Sequence, residues 1–196
     1  MHRETLQALI EQSDGVLFAR DIAVAGVPSI YLSEFLKAGK LERVEHGVYI
    51  TPEVLEDRLF ILQSCKNRII YSHDTALYLH DLTDRDPLTY SVTVPTGYNT
   101  KRLVEDGLVV FSIKQDLYEV GVATMQTQFG RPIKAYNAER TLCDMIRSRS
   151  QMDGALLPDA LKRYVRRKEK NIHLLMQYAE KFRVAKLLRQ YLEVLL

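Results

Sequence analysis

Apolar positions recur at helical spacing three times near the start of the chain. The pattern predicts three helices, over residues 3–12, 19–25 and 29–37. Two short strands are predicted next, over residues 40–44 and 48–51. Gly26 lies in the turn before the third helix, and Gly47 suits the positive φ of a tight hairpin turn. Residues 1–56 are therefore predicted to form a winged helix-turn-helix domain that binds DNA.

The rest of the chain, residues 57–196, combines helical and strand periodicities. Helices are predicted over residues 54–65 and 73–80. Strands rich in β-branched residues are predicted over residues 68–72, 89–95, 108–114, 121–129 and 132–136. From Asn137 onward the pattern is helical. The predicted fold class is therefore α+β, with a mixed second domain that ends in a helical bundle.

The composition is that of an ordinary soluble globular protein, with 46% hydrophobic and 27% charged residues. No apolar run approaches the roughly 20 residues of a membrane-spanning helix, and the N-terminus does not resemble a secretory signal. Cys65 and Cys143 lack the spacing of a disulfide framework or a metal site. We therefore expect a cytoplasmic protein that contacts no membrane and needs neither metal nor cofactor.

The charge is distributed unevenly along the chain. Residues 1–52 carry 5 Lys and Arg against 7 Asp and Glu, whereas residues 137–196 carry 13 against 7. Positive charge is what phosphate contacts require, so the acidic balance of the first segment counts against strong DNA binding there. A few well-placed cations still suffice for such contacts.

The third predicted helix has one apolar face and one polar face. Leu32, Phe35 and Leu36 share the face that would pack against the first two helices. The other face offers hydroxyls and a lysine, which suit phosphates and base edges, while Glu34 would either accept from a cytosine amino group or repel the backbone. The predicted DNA-binding residues of this helix and the following hairpin are Ser29, Tyr31, Ser33, Lys37, Lys40, Arg43 and His46. A polar face that is merely solvated, on a module that contacts protein, is the alternative.

Three further groups of residues are candidates for chemistry. His73 and His80 invite a metal hypothesis, but two helical turns, or about 10 Å, separate them, and a helix capped by Ser72 or Asp74 is the simpler interpretation. Glu139 and Asp144 are conceivable nuclease carboxylates. An Arg140–Asp144 ion pair on a helix capped by Asn137 is the simpler interpretation of that segment. No nucleophile–base pair or phosphate-binding glycine loop occurs, so we do not expect an enzyme.

The segment ALKRYVRRKEK, residues 160–170, is strongly basic. Its outward cations are predicted to be Lys162, Arg163, Arg166 and Arg167. A solvated face, a contact to the DNA backbone, and a surface for a toxin or its nucleic-acid target are all compatible with this pattern.

One sequence resemblance is specific. Residues 15–50 read GVLFARDIAVAGVPSIYLSEFLKAGKLERVEHGVYI, and this order resembles the N-terminal domain of the AbiEi family of abortive-infection proteins. The hallmark of that family corresponds here to Gly39, Leu41, Arg43, Val44, Gly47, Val48 and Tyr49. The resemblance continues in SHDTALYLHDLTD, SVTVPTGYN and YNAERTLCDMIRSR, so it extends over most of the chain.

The resemblance implies an antitoxin that also represses transcription of its own operon. Such a protein would bind inverted repeats in promoter DNA through its winged helix. Its functional partner would be a nucleotidyltransferase-type toxin of the AbiEii kind, counteracted without a stable complex and with the help of the second domain. A winged-helix module that neutralises a toxin by direct binding is the alternative.

Overall fold

The computed structural model describes residues 1–195 and divides them into two compact units, Met1–Ile61 and the part of the chain from Leu62 onward. The first unit contains three helices and a small antiparallel sheet. Its elements are α1 (His2–Gln12), β1 (Val16–Phe18), α2 (Ala19–Val24), α3 (Ser29–Lys37), β2 (Glu42–Glu45) and β3 (Val48–Ile50). The strand order is β1-β3-β2. The assignment of functions to domains 1–56 and 57–196 stays a prediction.

The core of the first unit lies between the three helices and the sheet. Leu6 of α1 and Phe35 of α3 are buried in it together with Tyr49, which pairs with Leu17 across β1 and β3. Leu32 and Leu36 pack against this cluster, so the predicted apolar face of the third helix is confirmed. Burying a large apolar side chain contributes about 1.5–3 kcal/mol to the stability of the fold. This burial determines which face of α3 remains exposed.

The end of α3 differs from the prediction in one respect. A strand was predicted from residue 40, but β2 begins at Glu42. The reason is a helix-ending turn in which Gly39, at φ +66°, donates its N–H to the carbonyl of Leu36, and Lys40 donates its N–H to that of Phe35. Lys40 therefore belongs to the cap of the helix. Gly47 has φ +75° in the hairpin turn, as predicted.

The part of the chain from Leu62 onward contains a five-stranded mixed sheet in the order β6-β5-β4-β8-β7. Its strands are β4 (Ile70–Tyr71), β5 (Ser91–Pro95), β6 (Val109–Ile113), β7 (Val122–Gln126) and β8 (Pro132–Tyr136). Strand β4 runs antiparallel to β5 and parallel to β8, while β5 and β6 are parallel and β7 and β8 antiparallel. The mixed α+β character predicted from the sequence is confirmed.

Among the described residues, eight α-helices follow β3 along the chain. They are α4 (Arg58–Cys65), α5 (His73–Leu79), α6 (Lys101–Glu105), α7 (Gln115–Tyr118), α8 (Ala138–Arg147), α9 (Leu156–Arg166), α10 (Ile172–Lys181) and α11 (Ala185–Leu195), with a 3-10 turn at Arg149–Gln151. Helices α8 to α11 share one apolar core, in which Leu142, Leu161, Leu175 and Leu188 are fully covered. The short helices α6 and α7 were not predicted.

Several predicted boundaries after residue 53 are off by one or two residues, and two are off by three or more. The helix predicted from residue 54 begins at Arg58, because the Asp57 side chain accepts the N–H of Phe60 and caps the first turn. The strand predicted over residues 121–129 ends at Gln126, because the N–H of Thr127 bonds to the carbonyl of Arg131 across a turn that contains Gly130 at φ +75°.

Candidate nucleic-acid interface

The outward face of α3 carries the residues that the sequence predicted to contact DNA. Ser29, Ser33 and Lys37 are exposed, whereas Tyr31 is half-buried, with its ring centroid 5.3 Å from that of His2. The Ser33 hydroxyl donates to the carbonyl of Ser29 at 3.1 Å, one helical turn earlier. Its oxygen still has acceptor capacity, so Ser33 can accept from an amino group while it donates to the backbone.

Glu34 is paired with a residue that the sequence did not single out. Arg3 of α1 donates from Nε to Glu34 Oε2 at 3.0 Å, and its Nη2 lies 3.0 Å from the same oxygen. The pair places a guanidinium beside the single acidic side chain of α3. The local negative charge on this helix face is thereby largely offset, which removes much of the repulsion that an isolated carboxylate would exert on phosphates.

The tip of the β2–β3 hairpin holds Arg43 and His46 together. Arg43 Nη2 lies 2.9 Å from His46 Nδ1, and Arg43 Nε donates to the carbonyl of Glu45 at 3.2 Å. A guanidinium nitrogen can only donate, so Nδ1 is the acceptor and the imidazole proton resides on Nε2. Both side chains are exposed. The tip therefore offers a fixed positive charge and an N–H donor close together.

Lys37, Lys40 and Arg43 of the first unit take part in no ion pair within residues 1–195. These three cations lie close together in sequence. The Lys40 ammonium lies 5.2 Å from the centre of the Phe35 ring, and such a contact orients the side chain without neutralising it. Lys37 is the last residue of α3, Lys40 lies in the turn that follows it, and Arg43 lies in β2. The unpaired Lys and Arg residues of this unit therefore lie at the end of α3 and at the start of the hairpin.

Some acidic side chains of this unit lie beside a positive charge, and others line a groove. Glu4 pairs with the N-terminal amine at 2.7 Å, and Asp21 lies 3.6 Å from Arg20. Glu11 and Asp14 line a groove together with Lys40, between the end of α1 and residues 51–54. On α3 itself the acidic residue is Glu34, and Arg3 pairs with it, so the acidic balance of the first segment overstates the negative charge on the outward face of this helix.

The basic segment of α9 is partly engaged by its own unit. Arg163 forms a two-pronged ion pair with Asp84, and this contact holds the pKa of the Asp84 carboxyl below its usual range. Arg167 donates to the carbonyl of His80, and Lys162 lies 4.0 Å from Asp159. Arg166 is exposed and has no ion pair in the part of the chain that the structure describes. The four predicted cations are thus unequally available.

The two histidines considered for a metal site do not converge. His73 is stacked on Phe111 with ring centroids 3.5 Å apart, and its ring nitrogens share hydrogen bonds with the hydroxyls of Ser72 and Ser148. Burial, reinforced by nearby arginines, lowers the pKa of His73 to about 3, so its ring is neutral at neutral pH. His80 Nε2 lies 2.7 Å from the carbonyl of Tyr136, and burial lowers its pKa as well.

No group of three or more potential metal ligands occurs within residues 1–195. The expected side-chain cap of α5 is wrong: Ser72 precedes the helix, but neither it nor Asp74 caps it. The Ser72 hydroxyl instead contacts His73 Nδ1 at 3.0 Å and accepts from the Thr93 hydroxyl at 2.9 Å.

The carboxylates of α8 are part of the core. Arg140 Nε donates to Asp144 at 2.8 Å with both side chains buried, and the Asn137 side chain accepts the N–H of Arg140, so the predicted ion pair and cap are confirmed. Arg140 also donates to the carbonyls of Leu117 and Val120, and it lies against the rings of Tyr136 and Phe182. Glu139 accepts from the Tyr164 hydroxyl at 2.7 Å. These groups tie helices to loops and do not face an open site.

Comparison with known proteins bears on the first unit most directly. Residues 4–52 match the model of a family described as transcriptional regulator, AbiEi antitoxin. The matched segment extends from α1 to just beyond β3, so the resemblance predicted from the sequence is confirmed there. The match supports a regulatory role in a toxin–antitoxin system.

Among solved structures, the chain is similar to the crystal structure of the RV2827C protein from Mycobacterium tuberculosis, with a TM-score of 0.61 and 14% sequence identity. The similarity covers 89% of this chain and 69% of that chain. At this identity the likeness concerns the fold alone. No curated protein matches the chain. Within residues 1–195, no helix combines the length and apolar character needed to cross a membrane.

Proposed function

We propose that this chain, whose residues 4–52 match an AbiEi antitoxin model, is a cytoplasmic antitoxin that represses its own operon. The first unit acts as a winged helix-turn-helix that binds inverted repeats in promoter DNA. The family match over the three helices and the hairpin is the observation that carries the proposal. The partner toxin is a nucleotidyltransferase of the AbiEii kind, counteracted without a stable complex.

Helix α3 enters the major groove in this proposal. Its inward residues are held by the core, so the face with Ser29, Ser33 and Lys37 is presented as a rigid surface. Hydroxyls and ammonium groups bond to phosphates and base edges, and Tyr31 supports the flank of the helix. The Arg3–Glu34 pair keeps the face compatible with a polyanion.

The hairpin acts as the wing. Lys40, Arg43 and His46 lie at its start and at its tip, where they contact phosphates or the edge of the minor groove. The contact between Arg43 and His46 limits the freedom of these two side chains, which reduces the entropy lost on binding. Two copies bound to one face of an inverted repeat would lie about 34–36 Å apart, or at a multiple of that distance.

The second unit contributes positive charge and the antitoxic activity. Arg166 is the predicted cation of this segment most available for a phosphate contact, since Lys162, Arg163 and Arg167 contact partners within their own unit. A surface of this kind also suits a toxin's nucleic-acid target. The way in which this unit counteracts a toxin is tested separately, by rescue of growth in cells that express the neighbouring toxin gene.

The proposal is tested by fluorescence anisotropy with labelled duplexes. The purified chain is titrated with the DNA immediately upstream of its gene and with a scrambled duplex of the same composition, over a series of salt concentrations. We expect tight binding to the upstream DNA, a clear preference over the scrambled duplex, and affinity that falls with salt in proportion to the phosphates neutralised. Equal weak binding to both duplexes would reject the repressor function. Stable co-purification with the neighbouring gene product would then favour direct sequestration of a toxin.

A further inference from the structure

We infer that Ile30 reads the base sequence by contacting the methyl group of thymine in the major groove. The inference rests on the proposed function and names the chemistry that its DNA site must contain. Ile30 is the second residue of α3, and its side chain is 63% exposed. An isoleucine at this position leaves apolar surface in water unless a partner covers it.

Ile30 lies on the same face of the helix as predicted DNA contacts. Residues 30, 33, 34 and 37 follow the i, i+3, i+4, i+7 spacing of one helix face. The Ser33 hydroxyl on this face already donates to the backbone, and the Glu34 carboxylate is held by Arg3. Ile30 is the apolar member of the set, and none of these contacts covers it.

The chemistry of the major groove identifies the partner. Each base pair presents donors and acceptors there, but the C5-methyl of thymine is the apolar group among them. In helix-turn-helix proteins the N-terminal residues of the recognition helix reach the base edges, and Ile30 lies in that first turn. A β-branched side chain has one dominant rotamer in a helix, so it presents a fixed apolar surface with little entropy to lose.

The test replaces thymine by deoxyuridine, which removes the methyl group and keeps the base pairing. The probe is the duplex immediately upstream of the gene, prepared with thymine or with deoxyuridine throughout and then with single replacements. Burying one methyl-sized group raises affinity about fourfold. Replacing a contacted thymine by deoxyuridine should therefore lower the affinity of the wild type about fourfold. Ile30→Ala should bind the two forms equally.

The matched control is Val24→Ala, which removes apolar surface from a side chain that is 88% exposed at the end of α2. It should keep the wild-type ratio between the two duplexes. Because Ile30 and Val24 are both exposed, neither variant is expected to lose the fold, which circular dichroism verifies.

Three results would overturn the inference. The first is specific binding by the wild type with no difference between the two duplexes. The second is a difference that persists unchanged in Ile30→Ala. The third is an Ile30→Ala variant that loses affinity for both duplexes alike, which would assign the side chain to a nonspecific contact. Absence of any preference for the upstream DNA over a scrambled duplex is a different result, because it would reject the proposed function and the inference with it.

Discussion

Arg3 Nε lies 3.0 Å from Glu34 Oε2, so an ion pair joins α1 to the outward face of α3. The two side chains are 68% and 41% exposed, and a pair in that setting adds little to the stability of the fold. Its larger consequence concerns the charge that α3 presents. If α3 faces DNA as proposed, an unpaired carboxylate there would oppose binding, and the pairing with Arg3 reduces that repulsion.

Replacing Arg3 by Gln should therefore weaken DNA binding, by roughly two- to fivefold, because Glu34 then faces the phosphates without a partner. Glu34→Gln should tighten binding, and the Arg3→Gln, Glu34→Gln double variant should regain at least the affinity of the wild type. Anisotropy titrations at one salt concentration measure all four proteins. A double variant as weak as Arg3→Gln would show instead that Arg3 contacts DNA itself.

Replacing Arg43 by Ala should weaken binding to every duplex and reduce the slope of log affinity against log salt by about one, as loss of one phosphate contact does. The affinity ratio between upstream and scrambled DNA should change little. Arg58→Ala is the control and should leave the slope unchanged, since Arg58 is an exposed cation of the same unit that lies outside α3 and the hairpin, 3.6 Å from Glu56. If Arg43→Ala changed the affinity ratio between upstream and scrambled DNA but left the salt slope unchanged, Arg43 would contact base edges.

On α9, Arg166 and Arg163 are expected to behave differently, although they lie one helical turn apart. Arg166→Ala should weaken binding and lower the salt slope by about one, because its charge is available to phosphates. Arg163→Ala should leave the slope nearly unchanged, because Asp84 already holds that guanidinium. The same anisotropy series compares the two variants. Equal effects would contradict the distinction that the ion pair creates.

His73 should make the fold sensitive to acid. Its pKa is about 3 in the folded chain and about 6.5 in the unfolded chain, so below pH 6.5 the unfolded state binds a proton that the folded state refuses. The stability associated with the neutral ring is complete above pH 6.5. It is lost as the pH falls towards 3, at up to about 1.4 kcal/mol per pH unit.

His73→Asn removes this titration, and asparagine tolerates the positive φ of +49° at this position. Urea unfolding between about pH 7 and pH 4 should therefore show a shallower decline for this variant than for the wild type. His173→Asn, on the exposed surface of α10, is the control and should keep the wild-type decline. Parallel declines for all three proteins would show that His73 is not the acid-sensitive group.

Local patterns predicted local features well. The inward face of α3, the glycine at the hairpin turn and the Arg140–Asp144 pair each involve residues within a few positions of one another, so spacing alone defines them. The boundaries that were wrong, at Glu42 and Arg58, depend on which backbone or side-chain group satisfies the end of a helix. Periodicity does not encode that choice.

The sequence by itself determined that this is an α+β chain whose first segment resembles AbiEi regulators, and it determined which residues lie on the outer face of α3. Only the tertiary structure decided which charges on that surface remain available. Arg3 reaches Glu34 across 31 positions, and Arg163 reaches Asp84 across 79. Such contacts depend on how distant segments are placed by packing, which the spacing of residues along the chain does not specify.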